Sequence, residues 1–182
     1  MQNRRKFVAK IGTVGTIAIA GCNGVGGEPE LTVRNLDQTS PRVLDVSAER
    51  RVNLAEYSTE IRNTGHSGPV LVELFWGETT ISPVREETTY FNSNETREFS
   101  FLEEPPEFTD LYRILATGLG YSADIVNSGG SGVVDVQLID GISEDIIIEK
   151  RLNLAEDETR SVEFETEHEF RGDFVVDAVP AE

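Results

Sequence analysis

Cysteine, histidine and lysine are almost missing from this sequence of 182 residues, and each shortage removes a class of site. A single cysteine, Cys22, rules out a disulfide within the chain. Two histidines, His66 and His168, leave little material for a zinc site or a Ser-His-Asp triad, and we expect His66 in an exposed turn and His168 in an acidic loop. We therefore predict a protein that is not an enzyme, has no catalytic residues and holds no metal or other cofactor.

A long apolar run is also missing. The run from Ile11 to Ala20 is interrupted by Gly12 and Gly15, and as a helix it would reach only about 15 Å across a hydrocarbon core of about 30 Å. The preceding residues include Arg4 and Arg5 and no acidic residue. A basic start followed by a short apolar run predicts a signal helix over residues 1–21 rather than a membrane span.

Two short motifs in this leader resemble known export signals. Arg4-Arg5-Lys6-Phe7-Val8 is similar to the twin-arginine export signal, and Ile19-Ala20-Gly21-Cys22 is similar to a lipobox. The resemblance implies that the leader is removed and that Cys22 carries a diacylglycerol-type lipid on the outer face of the cytoplasmic membrane. Residues 22–30 would then be the lipidated cysteine and a flexible linker. An uncleaved anchor or a plain signal peptide are the alternatives.

The charge is strongly negative. The whole chain has 16 basic and 33 acidic residues, and removal of the leader would leave 12 basic residues and a net charge of −21. Such a surface repels nucleic acid, so no nucleic-acid partner is expected. Many carboxylates, few lysines and a twin-arginine leader together resemble secreted proteins of haloarchaea. Because molar salt screens surface repulsion, we predict that the fold is lost at low salt.

The sequence contains an internal repeat. Residues 57–77 and 121–141 are identical at 11 of 21 positions, and the segment beginning at Glu95 recurs at Glu158. Both copies alternate apolar and polar residues between Gly- and Asn-containing turns, which predicts antiparallel strands. A repeat of this length indicates one structural unit used twice.

These repeats resemble CARDB-type and related immunoglobulin-like domains. The similarity lies in the tyrosine, the N-x-G-x-S-G turn and the V-x-V-x-L strand, and it implies an all-β protein of tandem small antiparallel β-sandwiches. The predicted domains are residues 31–117 and 118–182, with the strands of Leu31 to Arg51 added to the first copy. One core shared by both copies is the alternative.

Few residues suggest a binding site. Phe75 and Trp76 end a strand where the second copy has Ile139 and Asp140, so they are a candidate binding patch, with core packing or a domain contact as the alternative. Asn94 begins an N-glycosylation acceptor, Asn94-Glu95-Thr96. If a metal binds, the acidic loops 140–145 and 156–158 favour calcium, although neither has EF-hand spacing.

Taken together, the sequence predicts a lipid-anchored surface protein that acts as a non-enzymatic scaffold. Its expected partners are the membrane, through the lipid, and an unidentified protein or envelope polymer. An accessory or solute-binding lipoprotein of a membrane complex is the first alternative and requires an apolar pocket. A secreted hydrolase is the second alternative and requires a carboxylate pair or a His-carboxylate contact in a cleft.

Overall fold

The computed structural model describes residues 27–77, 80–106, 111–167 and 174–181. Within these ranges the chain forms twelve β-strands and no helix, and the predicted signal helix of residues 1–21 lies outside them. The strands are β1 (Leu31–Gln38), β2 (Pro41–Arg51), β3 (Leu54–Asn63), β4 (Gly68–Trp76), β5 (Arg85–Phe91), β6 (Thr96–Glu103), β7 (Tyr112–Gly118), β8 (Gly120–Asn127), β9 (Gly132–Asp140), β10 (Ile146–Leu154), β11 (Thr159–Glu165) and β12 (Phe174–Pro180).

The strands form four three-stranded antiparallel sheets that pack in pairs. Sheets β2-β3-β6 and β5-β4-β7 enclose one core, and sheets β1-β8-β11 and β10-β9-β12 enclose the other. The prediction of an all-β fold built from two small antiparallel β-sandwiches is confirmed. Each sandwich has six strands, one fewer than the seven of a constant-type immunoglobulin domain.

The two cores are built from equivalent residues of the repeat. Val70, Val72 and Leu74 of β4 are completely buried, as are their counterparts in β9, because alternate side chains of a strand point to one face. Each core also contains an edge-to-face aromatic pair, Tyr57 with Tyr112 in one sandwich and Tyr121 with Phe174 in the other. The counterparts in β9 are Val134, Val136 and Leu138.

The first strand does not belong where the sequence suggested. β1 pairs with β8, from Leu31 opposite Asn127 to Gln38 opposite Tyr121, and Leu31 and Val33 pack against the second core. The prediction that this strand belongs with the first copy is therefore wrong. β2, by contrast, pairs with β3 of the first copy as expected.

One sandwich is consequently inserted into the other. Residues 41–118 form a continuous unit, here called the inserted sandwich, while residues 31–38 and 120–180 form the host sandwich. In the inserted sandwich the first two strands are joined by a turn at Val52 and Asn53. In the host sandwich the equivalent connection is the entire inserted sandwich. The chain therefore crosses between the sandwiches twice, at Thr39-Ser40 and at Leu119.

The sandwiches meet at opposite ends of the repeated unit: the turn after β3 in the inserted sandwich contacts the end of β1 in the host sandwich, with the N–H of His66 donating to the carbonyl of Gln38 at 3.0 Å. The region where they meet, here called the joint, contains both crossings. The outer end is the end of the inserted sandwich away from the joint and contains the turn at Val52. The anchor-side end, named after the predicted lipid anchor at Cys22, is the end of the host sandwich away from the joint. It contains Gly27, the first described residue.

Candidate functional sites

Several predicted functional residues lie outside the described part of the chain. These are the export-signal residues Arg4 and Arg5, the lipidation site Cys22, and His168. Their roles stay predictions. In the ranges that the structure describes, no helix is long and apolar enough to cross a membrane.

The candidate patch of Phe75 and Trp76 is largely covered. Phe75 is only 4% exposed, because the guanidinium of Arg113 lies 4.6 Å from its ring centroid in a cation–π contact. Arg113 also donates a hydrogen bond of 2.6 Å to the carbonyl of Thr80, whose hydroxyl donates to the carbonyl of Trp76. Trp76 is half-buried, opposite Tyr112. Phe75 is thus covered by Arg113 rather than packed in the main core of the inserted sandwich, and a binding role for the two aromatic residues stays a prediction.

A shallow depression lies beside this packed corner. It is lined by Pro83, Val84, Arg85 and Glu86, has a volume of about 330 Å³ and is open to solvent. A small-molecule site normally combines an enclosed apolar wall with a few converging polar groups. This depression has neither feature, so it does not favour solute binding.

The glycosylation acceptor lies in an exposed turn. Asn94 has a φ of 61°, a left-handed conformation that asparagine tolerates better than most residues, and Asp157 occupies the equivalent position at 58°. The neighbouring Glu95 accepts a hydrogen bond from the backbone N–H of Asn92 and pairs with Arg97 at 2.6 Å. The turn itself thus explains an asparagine at position 94, while the side chain is also accessible for modification.

The same carboxylate arrangement occurs in the second copy. Glu158 accepts a hydrogen bond from the backbone N–H of Ala155 and pairs with Arg160 at 2.5 Å. In both turns the backbone hydrogen bond, followed by the arginine, holds the pKa of the glutamate below its usual value. In the acidic turn 156–158, the carboxylate of Glu158 therefore stabilises the turn itself.

The loop after Asp140 also uses its carboxylate internally. Asp140 accepts hydrogen bonds from the backbone N–H groups of Ile142 and Ser143, which lower its pKa. No group of three or more candidate metal-ligating side chains occurs among the described residues. Calcium at these loops stays a prediction without structural support.

His66 lies at the joint, beside a residue of the other sandwich. Its Nε2 is 3.4 Å from a carboxylate oxygen of Glu163 in β11. The side chain of His66 is only 27% exposed and its Nε2 is buried, whereas that of Glu163 is 65% exposed, so His66 is less exposed than the sequence predicted. A His-carboxylate contact is the element that a hydrolase would need, but here it links two sandwiches rather than lining a cleft.

Two buried asparagines are the residues that the sequence interpretation missed. Asn63 and Asn127 are completely buried at equivalent positions, the last residues of β3 and β8. Each side chain accepts two backbone N–H groups and donates to two backbone carbonyls. The partners of Asn63 are Ser40, Gly65, His66 and Asn92, and those of Asn127 are Glu30, Gly129, Gly130 and Ala155. Each asparagine thereby ties three chain segments together at one end of its sandwich.

The joint is closely packed, with a buried residue at each of the two chain crossings. Leu119 is 2% exposed; its N–H donates to the carbonyl of Pro69 at 2.9 Å, and its carbonyl accepts from the N–H of Thr166 at 2.9 Å. Thr39 is 1% exposed, and its N–H donates to the carbonyl of Gly120 at 2.8 Å.

No protein-family model matches the chain, and no curated protein matches it. The assignment of a function therefore depends on the residues themselves.

Proposed function

We propose that the protein is a lipid-anchored scaffold on the outer face of the cytoplasmic membrane, with a binding role and no catalytic role. The observation that carries this proposal is the order of the leader motifs: the paired Arg4 and Arg5, a short apolar run, and the lone Cys22 directly after it. Two acyl chains hold a protein on a bilayer much more firmly than one.

The described fold is compatible with such a tether. Gly27 and the three residues that follow it lie at the surface of the anchor-side end, only five residues after Cys22. Two disulfide-free sandwiches, each with its own core, would form the folded body on a short spacer. The expected partner is a protein or an envelope polymer outside the cell.

The experiment is a comparison of Cys22→Ser with the parent protein in cells. The parent is expected in the membrane fraction, with the peptide that begins at residue 22 carrying the mass of a diacylglycerol-type lipid. The variant, which lacks the thiol, should be released into the medium or retain its leader. Asn23→Ser is a matched control and should stay in the membrane fraction.

Export is tested separately with Arg4→Lys combined with Arg5→Lys. This variant keeps the charge but loses the guanidinium pair, so the precursor should accumulate inside the cell. Lys10→Arg serves as the control and should be exported normally. A parent protein whose mature terminus carries no lipid would contradict the proposal.

A further inference from the structure

We propose that the chain stands on its host sandwich and holds the inserted sandwich away from the membrane. This inference depends on the proposed attachment at Cys22. It reverses the order that the sequence suggests, since the copy nearer to the anchor in sequence becomes the more distant one in space.

The first step is the place where the tether meets the fold. The N–H of Gly130 donates to the carbonyl of Glu28 at 3.1 Å, and the N–H of Ser128 donates to the carbonyl of Glu30 at 2.9 Å. These bonds hold residues 27–30 against the turn after β8, at the anchor-side end. Since an extended chain advances at most about 3.5 Å per residue, Cys22 lies within about 18 Å of Gly27.

The second step is the direction of the chain from that point. β1 runs from the anchor-side end to the joint, where Gln38 is opposite Tyr121. After Thr39-Ser40, β2 continues from the joint to the outer end, with Arg51 opposite Leu54. At about 3.3 Å per residue, these two strands carry the turn at Val52 up to about 60 Å from the anchor-side end.

The third step is the stiffness of the joint. Domains linked by one flexible segment are expected to move relative to each other, unless their interface is extensive. Here two chain crossings lie side by side, and the N–H of Thr39 donates a hydrogen bond to the carbonyl of Gly120. Leu119 is buried between Pro69 of the inserted sandwich and Thr166 of the host sandwich, with a backbone hydrogen bond to each. A swivel that returned the outer end to the membrane would break these contacts.

The last described residues lie at the same end of the host sandwich as Gly27. The N–H of Ala181 donates to the carbonyl of Val133 at 2.9 Å, which places the end of β12 beside the start of β9. The last described residue thus lies at the anchor-side end, like Gly27.

The test uses the mature chain coupled through the thiol of Cys22 to vesicles that contain a maleimide lipid, in molar salt. An azide-bearing amino acid replaces either Val52 or Ser128, both of which are exposed, and is labelled with a donor dye. The vesicles carry an acceptor dye on their headgroups. Uncoupled protein with the same labels is the control for transfer from free chains.

We expect severalfold stronger energy transfer from position 128 than from position 52. Equal transfer from both positions, or stronger transfer from position 52, would overturn the inference. Because the vesicle coupling is chemical, this result does not depend on lipidation in cells. If the parent protein were found in the medium rather than in the membrane fraction of cells, that result would contradict the proposed lipid anchor but not the orientation measured on vesicles.

Discussion

The buried asparagines provide the sharpest test of how this fold is held together. Replacing Asn63 by alanine removes four hydrogen bonds and leaves two N–H groups and two carbonyls without that partner. At a net value of about 1 kcal/mol for each bond, with some groups recovering water, the expected loss is about 3 kcal/mol. Because a typical domain is stable by only about 5–15 kcal/mol, this is a large fraction.

The assay is urea unfolding at constant molar salt. Trp76, the single tryptophan, reports on the inserted sandwich alone, while far-ultraviolet circular dichroism reports on both sandwiches. With a urea dependence of about 1 kcal/mol per M, Asn63→Ala should lower the Trp76 midpoint by about 3 M. Asn127→Ala should destabilise the host sandwich while the Trp76 midpoint changes much less, because the inserted sandwich is continuous in sequence.

The control is Asn153→Ala, at an exposed position of β10. Truncation there removes a solvated amide and should leave both transitions within experimental error. The reasoning is refuted if Asn63→Ala behaves like this control. It is also refuted if Asn127→Ala shifts the Trp76 midpoint as far as Asn63→Ala does.

Three further outcomes are expected. Joining Gln38 to Tyr121 through an Asn-Gly turn removes the inserted sandwich and should leave a host sandwich that unfolds cooperatively by circular dichroism; an unfolded product would contradict the nested arrangement. Dialysis from molar salt to dilute buffer should unfold the parent protein, since the screening length increases from about 3 Å at 1 M to about 30 Å at 0.01 M, and an unchanged spectrum would argue against this. Because the folded-state pKa values of Glu95 and Glu158 are lowered, their contribution to stability is complete above the usual value of 4.5 and is lost as the pH falls through the lowered pKa values. Urea midpoints measured across this acid range should fall less steeply for Glu158→Gln than for the parent, and parallel curves would contradict the assignment.

The strand content was predictable from the sequence for a physical reason. Both copies alternate apolar and polar residues, and a sheet that is buried on one face requires that period. The repeat also correctly predicted two equivalent cores. Val70 and Val134 are both completely buried and occupy corresponding positions.

The partner of the first strand was not predictable in the same way. β1 and β2 are both short alternating strands, and nothing local in either one specifies a neighbour. Val33 pairs with Ile125, 92 residues later, while Val43 pairs with Ile61. Loop closure becomes only slowly more costly with length, so the more distant partner is not excluded by entropy.

The surroundings of Phe75 were also not predictable from its own strand. By alternation Phe75 should point outward from its sheet, which made it a candidate for binding, but Arg113 from the neighbouring strand covers it. Asn63 was read only as a turn residue, because asparagine is common in turns. The signal that could have singled it out is its recurrence as Asn127, at the end of an equivalent strand.

The nested arrangement accounts for the absence of a linker between the copies. Gln38 and Tyr121 are opposite each other in a sheet, so the inserted sandwich occupies the position of a two-residue hairpin turn. An insertion of this kind requires the first and last residues of the inserted sandwich to lie close together. At the joint this close approach is possible because glycines lie at the points of contact. A β-carbon on either Gly68 or Gly120 would collide with the hydroxyl of Thr39. The close contacts of Gly68 and Gly120 therefore assign these glycines to the joint itself rather than to a flexible spacer.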